Sequence, residues 1–112
     1  MSETPAPDTL RERIARRDGC RCVYCGEIFR CDELTLDHVE PRMRGGDRSE
    51  GNLVAACRGC NTEKGSTPAW AYLADRADRR ENFLRYATHL WPRLRRAVEE
   101  AAERNRDSRP SG

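Results

Sequence analysis

Large aliphatic residues are scarce in this chain: Leu, Ile, Val and Phe together number 16 of its 112 residues. So few cannot hold a domain unaided, and a staple of another kind is expected. Lysine is nearly absent, with Lys64 alone against 20 arginines. Almost every cation is therefore a planar fork suited to phosphate. Long apolar runs are missing too; the longest, Ala69–Ala74, falls far short of the ~20 residues that cross a bilayer. Residues 1–17 carry Pro and charges where a secretory leader has an apolar stretch. The expected setting is cytoplasmic and reducing, where cysteine clusters bind metal more often than they form disulfides. The length fits one domain and excludes two independent cores.

Charge is abundant and unevenly placed. The net charge is +2, yet residues 22–67 are net acidic and residues 68–112 net basic. Such a balance permits nucleic-acid binding without requiring it.

Local patterns order the chain. Leu10–Asp18 reads as a helix capped by Asp8 or Thr9 and stopped at Gly19. Leu34–Val39 alternates like a strand with Leu34 and Leu36 inward, and Pro41 ends it. Arg42–Asn52, with three glycines, reads as a loop, and Leu53–Ala56 as a second strand. A short helix is expected from Asn61 to Lys64, and another opening at Thr67-Pro68. Phe83, Ala87, Leu90, Leu94 and Val98 form a helical stripe that Pro92 should kink or split. From Arg104 onward the polar sequence predicts disorder. The organisation expected is a flexible 1–9, a core over 10–67, a helical extension over 68–105 and a disordered tail over 106–112.

Cys22-x-x-Cys25 and Cys57-x-x-Cys60 supply the missing staple. Each pair brings two thiolates to one ion from a tight turn, and two pairs close a tetrahedron around structural Zn²⁺. Binding free energy on the order of 10 kcal/mol would offset the thin core. Cys20 and Cys31 are left over: Cys20 could replace Cys22 as a ligand, though in a poorer chelate, and otherwise both read as small buried or half-buried thiols.

Between the cysteine pairs lie Asp37-His38, then Asn52, with Asn61 directly behind the last cysteine. Singly, each has an ordinary reading as packing residue, turn residue or helix cap. Within a metal-stapled frame they resemble the HNH endonucleases of the ββα-metal class, in the subgroup with a four-cysteine zinc. The resemblance rests on Arg17-Asp18-Gly19, Cys22-Val23-Tyr24-Cys25-Gly26, Leu36-Asp37-His38-Val39, Pro41-Arg42, Gly45-Gly46, Asn52-Leu53 and Cys57 through Gly65. It implies a small α+β fold: a zinc-stapled ββα-metal core with an N-terminal helix and a C-terminal helical extension. It also implies DNA phosphodiester hydrolysis, with His38 as general base, Asp37 and Asn61 as ligands of one divalent ion, and Asn52 steadying the loop. The third letter of the name is often His; here Asn61 stands in its place. Two hard oxygen donors favour Mg²⁺ or Mn²⁺.

Arg42 and Arg44, flanking the glycine loop, are candidates for DNA-backbone contact. Lys64 could reach a phosphate or could be a solvated helix-end cation. The arginines from Arg76 to Arg109 form either a DNA-facing surface or a solvated helical face, and Trp70 and Trp91 read as core anchors. A rival reading is a catalytically inactive zinc-stapled nucleic-acid-binding module. DNA is the expected partner, and no helix-turn-helix is visible, so a protein partner could supply specificity. The target sequence, the choice between nicking and double-strand cleavage, and the oligomeric state are left open.

Overall fold

The computed structural model describes residues 9–42 and 47–107. Among the described residues are five α-helices and one two-stranded antiparallel sheet. Helix α1 (Leu10–Arg17) begins where Thr9 Oγ1 accepts the Glu12 N–H at 3.1 Å, and it buries Ile14 and Ala15. Strand β1 (Thr35–His38) pairs with β2 (Leu53–Ala56), with Asp37 opposite Val54 and His38 opposite Leu53. Helix α2 (Arg58–Lys64) follows at once, capped by Cys57, whose sulfur accepts the Cys60 N–H at 3.4 Å. Gly65 ends it at φ +58°, a left-handed position where a side chain would be strained. Helices α3 (Ala69–Leu73), α4 (Ala77–Tyr86) and α5 (Pro92–Asp107) complete the chain.

The core is continuous from Ile14 to Val98. Val23, Tyr24, Leu53 and Val54 from the sheet side meet Ala69, Leu73, Phe83 and Leu94 from the later helices. Arg17 ties α1 to β2: its guanidinium forks Asp18 and also donates to the carbonyl of Leu53 at 2.6 Å. Asp18 in turn accepts the Ala55 N–H at 2.9 Å. The Arg17-Asp18 pair is thus a joint between the first helix and the sheet.

Several expectations are corrected. Cys20 and Cys31 are half-buried but joined in a disulfide, their Cα atoms 4.7 Å apart, rather than free thiols. The turn between them returns Phe29 N–H to the Cys20 carbonyl at 2.8 Å and so brings the two residues together. Arg104–Asp107 is helical because Ala101 and Ala102 still bury a face of α5. Pro68 is the cap of α3 rather than its first residue; the stripe, by contrast, is split as expected, with Pro92 opening a new helix. Helix α2 starts three residues before Asn61, since the Cys57 sulfur caps it. On β1 the fully buried residue is Asp37; Leu36 is only partly covered. Arg44, Gly45 and Gly46 lie outside the described residues, as do positions 1–8 and 108–112.

Candidate functional site

Four sulfurs meet where the turn at Cys22–Cys25 faces the start of α2. The Sγ atoms of Cys22, Cys25, Cys57 and Cys60 all lie within 4.8 Å of one another, with Cys25 and Cys57 at 3.9 Å. Metal–sulfur bonds of about 2.3 Å in a tetrahedron place sulfurs about 3.8 Å apart. Cys25 N–H and Cys60 N–H each point at the first sulfur of their own pair, at 3.5 and 3.4 Å. Burial pushes the Cys25 thiol up to about 11, and it raises Cys60 as well, with Cys22 adding to both. Four crowded thiolates need a cation between them, and this cluster can hold one metal ion.

Further along α2, a cleft of about 280 Å³ is lined by Asp37, His38, Pro41, Arg42, Asn61 and Lys64, among others. The strand end supplies Asp37 and His38, and α2 supplies Asn61 and Lys64 at the one-turn spacing that keeps them on one face. Asn61 Nδ2 donates to Thr35 Oγ1 at 2.7 Å and to the Leu36 carbonyl at 3.4 Å. Its donors are therefore spent on β1, which turns Oδ1 away from the strand.

Asp37 is held at both oxygens. Tyr24 Oη donates to Oδ2, and Lys64 Nζ lies 3.0 Å from Oδ1. Burial raises Asp37 above the usual carboxylate range, while Lys64 and the Tyr24 hydroxyl pull the other way. Burial and the facing carboxylate raise Tyr24 well above its ordinary value, so the phenol is the donor. Lys64 is no solvated helix-end cation. It is 3% exposed, and its ammonium also donates to the His38 carbonyl at 3.1 Å. A lysine spent on a carboxylate and a carbonyl is a different thing from a free phosphate contact.

His38 keeps Nε2 buried and without a hydrogen-bond partner. Burial lowers it below the ordinary imidazole value; Asp37 opposes this, and Arg42, Arg48 and Lys64 reinforce it. Asn52, fully buried, acts on the loop behind. Its Oδ1 accepts the Glu40 N–H at 2.8 Å, and its Nδ2 donates to the carbonyls of Glu40 and Asp47 at 3.0 and 2.9 Å. The Val39 N–H bonds the Asn52 carbonyl at 2.9 Å, so the backbone next to His38 is fixed by the same residue.

Tyr24, Arg48 and Asp18 did not stand out in the sequence as site or joint residues. For Tyr24 the only signal was an aromatic between two metal-ligand cysteines. Arg42 is exposed at the cleft. A larger concavity of about 560 Å³ lies beside Cys57, away from His38. Its Arg30 is paired to Asp32, and no histidine or amide side chain lines it, so the smaller cleft is the better candidate for chemistry.

Residues 22–67 match the model of the HNH endonuclease family. Two similar proteins are the CRISPR-associated endonucleases Cas9 of Corynebacterium diphtheriae and of Actinomyces naeslundii. Each is 39% identical over 67 residues, which is 57% of this chain and 6% of the relative. The crystal structure of the type II-C Cas9 enzyme from Actinomyces naeslundii is similar with a TM-score of 0.61 and 25% identity. That likeness covers 82% of this chain and 11% of the other. The chain thus spans only a small fraction of the length of these relatives.

Proposed function

We propose that the chain is a metal-dependent endonuclease that hydrolyses DNA phosphodiester bonds. The observation that supports this most is the meeting of Asp37, His38 and Asn61 in one cleft with Arg42 at its edge. His38, kept neutral by burial and by its cationic neighbours, takes a proton from water. The water oxygen forms a bond to phosphorus while the bond to the 3′-oxygen breaks; the departing oxyanion takes a proton from solvent, leaving a 5′-phosphate and a 3′-hydroxyl. Asp37 and Asn61 would hold one Mg²⁺ or Mn²⁺, which when bound neutralises charge on the phosphate and the departing oxygen. Arg42 and Arg48 would meet the DNA backbone, and Asn52 keeps the loop beside the base in place. In the cysteine cluster the ion would be Zn²⁺, since four thiolates close the site and leave no position for chemistry.

Supercoiled plasmid incubated with Mg²⁺, Mn²⁺ or EDTA tests the reading, beside a His38→Ala control. Cleavage is expected with either ion, none with EDTA, and none from the variant although it still binds DNA. The inactive binding-module reading draws on the Asp37–Lys64 pair, which already occupies the acid. It requires DNA binding without cleavage under every metal.

A further inference from the structure

Tyr24 lies inside the turn between Cys22 and Cys25, yet its hydroxyl serves neither sulfur. It crosses the core and donates to Asp37 Oδ2. The ring is fixed from two sides: it stacks on Phe83 with centroids 5.6 Å apart and meets the edge of Tyr72 at 5.5 Å. Its backbone is fixed as well, because Asn82 Nδ2 donates to the Tyr24 carbonyl at 2.9 Å. Tyr72, Asn82 and Phe83 all come from helices beyond the family-matched segment. A carboxylate anchored at one oxygen by a rigid donor cannot swing, and it offers its other oxygen in one direction. For Asp37 that other oxygen is Oδ1, the one that faces the Lys64 ammonium in the cleft.

We propose that Tyr24 is a positioning residue for the divalent ion: it pins Asp37 Oδ2, so that Oδ1, which accepts from the Lys64 ammonium through one lone pair, turns its other lone pair to the ion, and it is itself clamped by α4. The inference rests on the reading of Asp37 as a metal ligand. It gives the C-terminal helices a part in the site that they do not line, and it makes one turn serve two metal centres. Partners that orient a ligand in this way typically govern metal affinity by about 10-fold or more.

The test uses the full zinc-loaded chain. Tyr24→Phe keeps the aromatic contacts and removes only the donor. Mn²⁺ binding is followed by electron paramagnetic resonance of the free ion, with Asp37→Ala as background and Val98→Ala, in α5, as a control for loss of core packing. The Mn²⁺ dissociation constant of Tyr24→Phe is expected to rise about 10-fold with zinc content unchanged. Plasmid cleavage should then need correspondingly more Mn²⁺ and approach the wild-type rate at saturation. Should Tyr24→Phe fail to fold, Asn82→Ala, which releases the Tyr24 carbonyl, is expected to weaken Mn²⁺ binding in the same sense. Wild-type Mn²⁺ affinity in the substituted chain, an equal loss in Val98→Ala, or no Mn²⁺ binding above the Asp37→Ala background overturns the proposal. Wild-type protein that binds Mn²⁺ through Asp37 but cuts no DNA defeats the nuclease reading alone, and the Tyr24 result is still read from affinity.

Discussion

Lys64 and Asp37 share a nearly dry pocket, their side chains 2% and 5% exposed. Removing one partner of such a pair leaves the other charge buried and uncompensated, at a cost of about 3–5 kcal/mol. Lys64→Ala is accordingly expected to lose that much in urea denaturation, with added Mg²⁺ restoring part of it by supplying another cation. An unchanged midpoint would show that water reaches Asp37. His38, the proposed base next door, responds to pH in a defined sense. Because His38 is held below 6.5, its ring stays neutral as pH falls through that value, and kcat should decline only further down. Arg42→Ala removes one of the influences that lower His38, so its acid limb should move up towards 6.5. A limb unmoved in that variant would mean that burial, Arg48 and Lys64 set the value without Arg42.

The loop between the strands is stapled at both ends. Asn52 holds Glu40 and Asp47 from within, while the indole of Trp91 lies on Gly51 from outside. A Cβ at Gly51 would come within 2.3 Å of Trp91 Nε1, so Gly51→Ala forces the indole aside. It should destabilise by about 1–3 kcal/mol, and Trp91→Ala made alongside should remove most of that added loss in a double-mutant cycle. Elements of this kind were partly legible. The strands, the first helix with its Thr9 cap and the paired cysteines follow from alternation, capping and spacing, all of which are local. That Asp37, His38 and Asn61 share a cleft follows from their places at a strand end and on the facing helix turn. Three things were hidden because each depends on a distant partner: the burial of Lys64 against Asp37, the hydroxyl of Tyr24 on the same carboxylate, and the pairing of Cys20 with Cys31. No period or motif announces a contact 27 residues away, as between Lys64 and Asp37.

At the scale of the whole chain, the family-matched segment stops at residue 67 but the core does not. Ala69, Tyr72, Leu73, Phe83, Leu94 and Val98 close the same interior as Val23 and Leu53. A chain ended after residue 67 should therefore fail to show a cooperative melt by circular dichroism even when loaded with zinc, whereas one ended at residue 107 should melt like the full chain. A cooperative transition in the shorter chain would show that the metal staple alone suffices. The first turn of α5 also touches the loop twice. Trp91 N–H bonds the Gly51 carbonyl at 3.0 Å, and Arg93 pairs with Glu40 at 3.2 Å. Mechanically, α5 is a splint about 24 Å long (16 residues at about 1.5 Å each), seated in the interior along Leu94, Val98, Ala101 and Ala102 and lashed at its start to the segment that carries Glu40 and Gly51. Cargo hung on its far end by a slack linker leaves the splint seated, while a rigid graft that pried Ala101 and Ala102 outward would loosen its hold on the segment beside the cleft.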